Sequence, residues 1–167
     1  MKTTRKVIFS ALLAALVCVA TMLIKLPSPL NGYINLGDCF VLLAAWLLPM
    51  PYGLCAAGIG SALADLFSGY ALYAPATFVI KALMAVTARG IFLLFSKKER
   101  RFGRLLGGVL AELVMVLGYY VFEGVLYGFV PSLVNIPANG VQAAAGVIFG
   151  LLLIKLLEKQ NLTTIFE

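Results

Sequence analysis

Most of the side chains that could bind a ligand or carry out a reaction in this chain are ionisable groups inside apolar segments. Lys81 and Arg89 lie in one apolar segment, and Glu112 and Glu123 lie in the next. Ionised side chains in hydrocarbon are costly and persist where they pair or carry out a function. Their depths along the two segments predict the pairs Lys81 with Glu123 and Arg89 with Glu112. We interpret the second as a structural ion pair, because the residues around it are almost all Gly, Ala, Val and Leu.

The surroundings of Lys81 and Glu123 are more polar and predict a ligand site. Thr77 shares the helical face of Lys81, and Tyr119 shares that of Glu123. Tyr119 and Tyr120 point about 100° apart on a helix, so one of them is expected to stack on a ligand ring, and Tyr119 is favoured. Rings, amides and charges together suit a small polar aromatic ligand. The predicted substrate-binding residues are Asn35, Asp38, Thr77, Lys81, Tyr119, Glu123, Asn139 and Gln142.

Other kinds of chemistry are poorly supported by the sequence. The chain has no His, and Cys18, Cys39 and Cys55 form no CxxC pair, which argues against a metal site and His-based catalysis. No nucleotide-binding GxxxxGK[ST] motif is present. We therefore expect neither an enzyme nor a bound cofactor or metal. The net charge of +6 does not indicate nucleic-acid binding, because the basic residues sit beside apolar segments.

The elements that must hold these residues are membrane-spanning helices. Hydrophobic residues make up 62% of the chain and charged residues 12%, against about 25% charged in a soluble domain. One domain, residues 1–167, is predicted as an all-α bundle of six transmembrane helices. The first apolar run resembles a signal peptide, but more spans follow it, so we interpret it as a retained helix. The predicted spans are residues 6–26, 36–50, 53–68, 74–95, 105–128 and 138–157.

The distribution of basic residues predicts the orientation of this bundle. They cluster at residues 2–6, 97–104 and 155–159, whereas Lys25 is the one basic residue near a span end on the other side. Cytoplasmic connections retain positive charge, so both termini are expected in the cytoplasm of a cell with this protein in its plasma membrane. Ala11 and Ala15 lie one turn apart on the first helix. This small face allows close helix approach, either inside the bundle or against another membrane protein.

Four short runs resemble the substrate-binding S components of energy-coupling factor (ECF) vitamin transporters. They are Gly-Tyr-Ile-Asn-Leu-Gly-Asp at 32–38, Pro-Tyr-Gly at 51–53, Gly-Ser-Ala-Leu-Ala-Asp at 60–65 and Tyr-Ala-Pro-Ala-Thr-Phe-Val-Ile-Lys at 73–81. The resemblance implies six helices, a vitamin site near the outer face, and a lid formed by the loop at about 26–35.

The same resemblance implies partners and a class of substrate. The Ala-x-x-x-Ala face that docks the transmembrane T subunit in this family corresponds to Ala11 and Ala15, and two separate ATPase subunits would supply energy through it. The Asn-Leu-Gly-Asp and Tyr-Ala-Pro-Ala-Thr-Phe runs look similar to S components assigned to pyridoxine-type compounds or hydroxymethylpyrimidine, and related sequences are of riboflavin type. Two alternatives stay open: a solitary vitamin carrier without an ATPase module, and a structural membrane protein.

Overall fold

The structure is a computed structural model that describes residues 2–28, 33–95 and 97–166. Helices dominate it, with one small antiparallel sheet and short 3-10 helices in the connections. The elements in chain order are α1 (Thr3–Leu23), β1 (Lys25–Pro27), β2 (Tyr33–Asn35), α2 (Gly37–Leu47), α3 (Met50–Phe67), α4 (Ala74–Leu93), α5 (Arg100–Tyr127), α6 (Phe129–Ser132) and α7 (Ile136–Lys159).

Each of the six predicted spans contains a helix, but the helices differ in length. Within the described residues, five are long and apolar enough to cross a membrane, and α2 has 11 residues. A helix of that length rises roughly 16 Å, about half of the hydrocarbon thickness. Helix α5 begins at Arg100 and not near residue 105, because its basic first turns are good helix formers. The prediction of six full crossings is therefore supported for five helices.

A β-hairpin between α1 and α2 was not predicted. Lys25 pairs with Asn35, Leu26 with Ile34 and Pro27 with Tyr33. The expected first span ran to residue 26, yet the helix ends at Leu23 and the chain turns into this hairpin. Residues 29–32, the tip of the predicted lid, lie outside the described residues.

Helix α2 forms the centre of the bundle. Nine of its 11 residues are buried, and α1, α3, α4 and α7 pack around it. Leu42, Trp46, Met84 and Met115 belong to the main apolar core. Large apolar side chains also cover the outer surface, as expected where helices face lipid.

The bundle has two chemically different ends. The hairpin, the start of α2 and the start of α4 lie at one end, together with the end of α3 and the start of α7; we call this the hairpin end. The basic segment 97–104, the end of α2 and the end of α7 lie at the other, which we call the basic end. Short connections between antiparallel helices produce this division.

Candidate ligand-binding site

A buried ion pair between α2 and α4 forms the base of the candidate site. Lys81 on α4 pairs with Asp38 in the first turn of α2, and their side chains are 3% and 1% exposed. Gln142 on α7 donates from Nε2 to Asp38 Oδ2 at 2.6 Å. The helix N-terminus also favours a carboxylate at this position. Three helices are thus joined by one charged group.

The hairpin is attached to the same network through Asn35. Its backbone N–H and its Nδ2 both donate to Gln142 Oε1, at 2.9 and 3.3 Å. Its Oδ1 accepts from the backbone N–H of Gly37 at 2.9 Å. A Cβ at Gly37 would overlap Thr21 Oγ1 of α1, so only glycine allows α1 and α2 to meet here. A movement of the hairpin would therefore change the hydrogen bonds of the charged group.

A second attachment holds the hairpin against the end of α3. The Tyr33 hydroxyl donates to Asp65 Oδ1 at 2.5 Å, and Lys25 Nζ donates to Ser68 Oγ at 2.8 Å. The Tyr33 ring lies 4.8 Å from the ring of Tyr70. Burial and then the neighbouring Asp65 carboxylate raise the pKa of the Tyr33 hydroxyl above its usual value. The hydroxyl therefore remains a donor throughout the physiological pH range.

The opposite wall of the site comes from α4, α5 and the segment before α7. Thr77 and Tyr119 share a hydrogen bond of 3.0 Å, and Lys81 Nζ lies 5.6 Å from the centre of the Tyr119 ring. Glu123 accepts from Asn135 Nδ2 at 2.9 and 3.0 Å, and from the Tyr73 hydroxyl at 3.4 Å. This wall offers an aromatic face beside an ammonium group.

These side chains enclose a small polar cavity. The space open to the centre of a water molecule is about 30 Å³, which holds about two waters. Seven of the eight predicted substrate-binding residues line it, and the eighth, Asp38, lies behind Lys81 and Gln142. Asn139 is half-buried at the rim. The structure brings these residues together beneath the hairpin, and their role in binding a substrate stays a prediction.

Both predicted ion pairs are wrong in this structure. Lys81 pairs with Asp38, and Glu123 is held by Asn135 and Tyr73. Matching depths fix the height of a side chain in the bundle, but not the direction in which its helix faces.

Arg89 and Glu112 are likewise apart. Arg89 Nη1 donates to the backbone carbonyl of Trp46 at 2.8 Å, one of the carbonyls left free at the end of α2. Neither carboxylate oxygen of Glu112 has a hydrogen-bond partner among the described residues. Glu112 packs instead against Gly146 of α7, where a Cβ would overlap its Oε1.

Several residues that build the site were not predicted as members. Tyr33, Tyr70 and Tyr73 line the cavity, and their rings follow one another along the hairpin end. The sequence signal was present, since all three flank loops at one end, but tyrosines there also suit a membrane interface. Asn135 was missed because an amide in a loop carries no distinctive spacing. Tyr120 lies outside the cavity lining and contacts Phe129 at 5.8 Å, so Tyr119 is the tyrosine of the two that reaches the site.

A separate apolar groove runs between α1 and α3. Its volume by the same measure is about 640 Å³, and Ala11 and Ala15 are exposed along it. Internal packing of α1 uses a different residue, Ala14, whose carbonyl would overlap a Cβ at Gly60. The face formed by Ala11 and Ala15 therefore stays exposed and available to a partner helix.

Comparisons with known proteins give a consistent result. A family model described as "ECF-type riboflavin transporter, S component" matches residues 1–159. A Pyrococcus woesei sequence, described as "Uncharacterized protein in gap 3'region", is 43% identical over 136 residues, which is 80% of this chain and 88% of that sequence. A solved structure, described as the S component of a bacterial ECF transporter, has a TM-score of 0.73 at 25% identity and covers 95% of this chain and 98% of its own.

Proposed function

The chain belongs to the family of ECF-type riboflavin transporter S components, and from this we propose that it captures a small heteroaromatic vitamin at its hairpin end. The family and the solved S component confirm the resemblance seen in the sequence. They make the chain a subunit of a transporter and a multi-pass membrane protein, not an enzyme. The observation that carries the proposal is the cavity in which an ion pair, amides and tyrosines converge.

The groups facing this cavity suit a ring that carries hydroxyls. Tyr119 offers a ring face, and Lys81 has N–H donors beyond the one directed to Asp38. Asn139 adds an amide to the lining of the cavity. An aromatic face fixes the plane of a heterocycle, while donors and acceptors at its edge fix its rotation.

Two size classes of substrate follow from different observations. The description of the family favours riboflavin. The narrow cavity favours a smaller ring, such as pyridoxine or hydroxymethylpyrimidine, because about 30 Å³ is far below the roughly 300 Å³ of ordinary ligand pockets. Either vitamin requires the hairpin to move outward, and riboflavin requires the larger movement. The hairpin would then act as the lid of the site.

Transport would depend on a partner at the apolar groove. We place an ECF module, a T subunit with two ATPase subunits, against the face of Ala11 and Ala15, because small exposed residues let a partner helix approach closely. The charge distribution supports cytoplasmic termini, which puts the hairpin end outside the cell membrane and the basic end inside. A solitary carrier would need no partner at this groove.

The proposal is tested by identifying the vitamin that the purified protein retains. Native mass spectrometry of protein from cells grown in rich medium should show one vitamin adduct, and titration with riboflavin, pyridoxine and hydroxymethylpyrimidine should rank the three. Asn139→Ala should weaken binding by roughly 5–150-fold, since a lost partner in a polar site costs about 1–3 kcal/mol. Gln160→Ala, an exposed amide at the basic end, is the matched control.

Three outcomes separate the alternatives. A folded protein that binds none of the three vitamins would refute the proposal and favour a structural role. Equal affinity in the Asn139→Ala variant and wild type would place the site elsewhere. Vitamin uptake in cells without a T subunit would identify a solitary carrier.

A further inference from the structure

A second polar cavity lies at the basic end, away from the candidate vitamin site. It occupies about 210 Å³ by the measure used above, between the ends of α2, α4 and α7 and the start of α5. Arg89, Arg100 and Arg104 line it, and Glu158 is the one carboxylate among its described lining residues. Nothing in vitamin capture accounts for three guanidinium groups at this place.

Among the described residues, positive charges outnumber negative charges around this cavity. Arg104 Nη1 donates to Glu158 Oε1 at 2.6 Å, which uses the single carboxylate. Arg89 donates to a backbone carbonyl, and Arg100 has no ion-pair partner among the described residues. The guanidinium carbons of Arg89 and Arg104 lie 5.8 and 5.2 Å from the centre of the same Phe92 ring. Like charges gathered in this way favour an anion between them.

Arg104 supplies an independent sign of a ligand. The residue is only 6% exposed, and its Nε has no hydrogen-bond partner among the described residues. A buried polar group without a partner is costly, so a ligand that accepts from it is stabilising. A guanidinium presents its N–H groups as a fixed fork that matches the oxygens of phosphate.

The apolar surroundings indicate which phosphate compounds can reach the cavity. Leu93, which lines it, and the neighbouring Leu94 and Phe102 are 60%, 78% and 57% exposed. Such surfaces contact acyl chains in a bilayer. Basic pockets between membrane helices at the cytoplasmic side bind the head groups of anionic lipids.

We propose that this cavity binds a phosphate group, carried by an anionic lipid or free in solution, between Arg89, Arg100 and Arg104. The phosphate oxygens accept from Arg104 Nε and from the guanidinium groups of Arg89 and Arg100. The bound anion offsets the excess positive charge at the end of α4 and the start of α5. The site is independent of the vitamin and of the groove on α1.

The only Trp of the chain makes the site measurable. Trp46 is 3% exposed and lines the cavity, so its fluorescence reports on an anion placed there. The detergent-solubilised full chain is titrated separately with dioctanoyl phosphatidylglycerol, dioctanoyl phosphatidylcholine and inorganic phosphate. Native mass spectrometry of the same samples counts adducts without relying on fluorescence. We expect saturable binding of phosphatidylglycerol.

Three variants test whether the charges that line the cavity cause the binding. Arg100→Gln, at an exposed position, should weaken binding by about tenfold or more, as expected for a charged hydrogen bond. Arg101→Gln removes the same charge one residue away, outside the cavity lining, and should leave the affinity unchanged. Glu158→Gln removes the competing carboxylate and should tighten binding.

Each outcome decides one question. Saturation by inorganic phosphate, in competition with phosphatidylglycerol, supports the site with free phosphate as a sufficient ligand. Binding of the lipid alone supports a head-group site. Absence of both a fluorescence change and an adduct with all three probes overturns the proposal. Equal losses in the Arg100→Gln and Arg101→Gln variants would also overturn it, because they would indicate general surface charge.

Discussion

Breaking the buried ion pair between Lys81 and Asp38 is expected to be the most destabilising change in the candidate site. Lys81→Met leaves the Asp38 carboxylate with one hydrogen bond, from Gln142 at 2.6 Å, and with the favourable start of α2. Asp38→Asn leaves the Lys81 ammonium without its counter-ion, with only a neutral amide oxygen in its place and the Tyr119 ring at 5.6 Å, a contact worth about 0.5–2 kcal/mol. Removing one partner of a buried pair costs about 3–5 kcal/mol of unfolding free energy. Both variants should fall in this range, with Asp38→Asn the lower in stability.

The double variant decides whether the pair is the cause. Lys81→Met with Asp38→Asn strands neither charge, so its loss should be smaller than the sum of the single losses by about 3 kcal/mol. Thermal unfolding in detergent measures all four proteins. The same cycle on Arg104 and Glu158 is the comparison, and coupling there should be smaller, because the Glu158 side chain is 36% exposed although that of Arg104 is only 7% exposed. Additive losses for Lys81 and Asp38 would refute the ion pair described here.

Three further changes test other parts of the structure. Replacing both Ala11 and Ala15 with Trp should fill the groove on α1, abolish assembly with an ECF module and leave vitamin binding intact, as measured by co-purification and titration. Tyr33→Phe removes the hairpin's hydrogen bond to Asp65, worth about 1.5–3 kcal/mol, and should raise the vitamin dissociation rate by roughly 10–150-fold in stopped-flow measurements. Glu112→Gln should leave unfolding stability unchanged or increase it, because no partner of this carboxylate is lost.

Each of these changes has a control. Leu12→Trp places an indole on α1 outside the groove and should not affect assembly. Cys55 lies exposed in the groove while Cys18 and Cys39 are buried, so a bound module should protect Cys55 from maleimide.

The hydrogen bond from the Tyr33 hydroxyl to Asp65 should persist from about pH 7 to 9. The raised pKa of Tyr33 means that the hydroxyl loses its proton only above the usual value near 10. A marked stability loss in Glu112→Gln would indicate that the Glu112 carboxylate has a stabilising partner, which contradicts its unpartnered state.

The sequence predicted which segments are helices and which residues line the cavity better than it predicted the contacts between those residues. Apolar runs located six of the seven α-helices, the exception being the four-residue α6, and seven of the eight predicted residues line the cavity while Asp38 supports it. Depth along a helix placed Lys81, Glu123 and Gln142 at one level. The rotation of each helix about its own axis is set by packing around α2. The spacing of residues in the sequence therefore could not predict the partner of Lys81. The hairpin was missed because its three-residue strands are too short for a periodic pattern.

The short central helix has a consequence for how the chain enters the membrane. With 11 residues and a fully buried Asp38, α2 is too short to span alone and carries a carboxylate that hydrocarbon disfavours. Its counter-ion, Lys81, is synthesised 43 residues later, which takes roughly 2–9 seconds at 5–20 residues per second. We therefore expect α2 to wait at the interface during translation and to be drawn inward only when α4 emerges. Biogenesis of this protein would then proceed by late insertion of its centre, in an order different from that of its sequence.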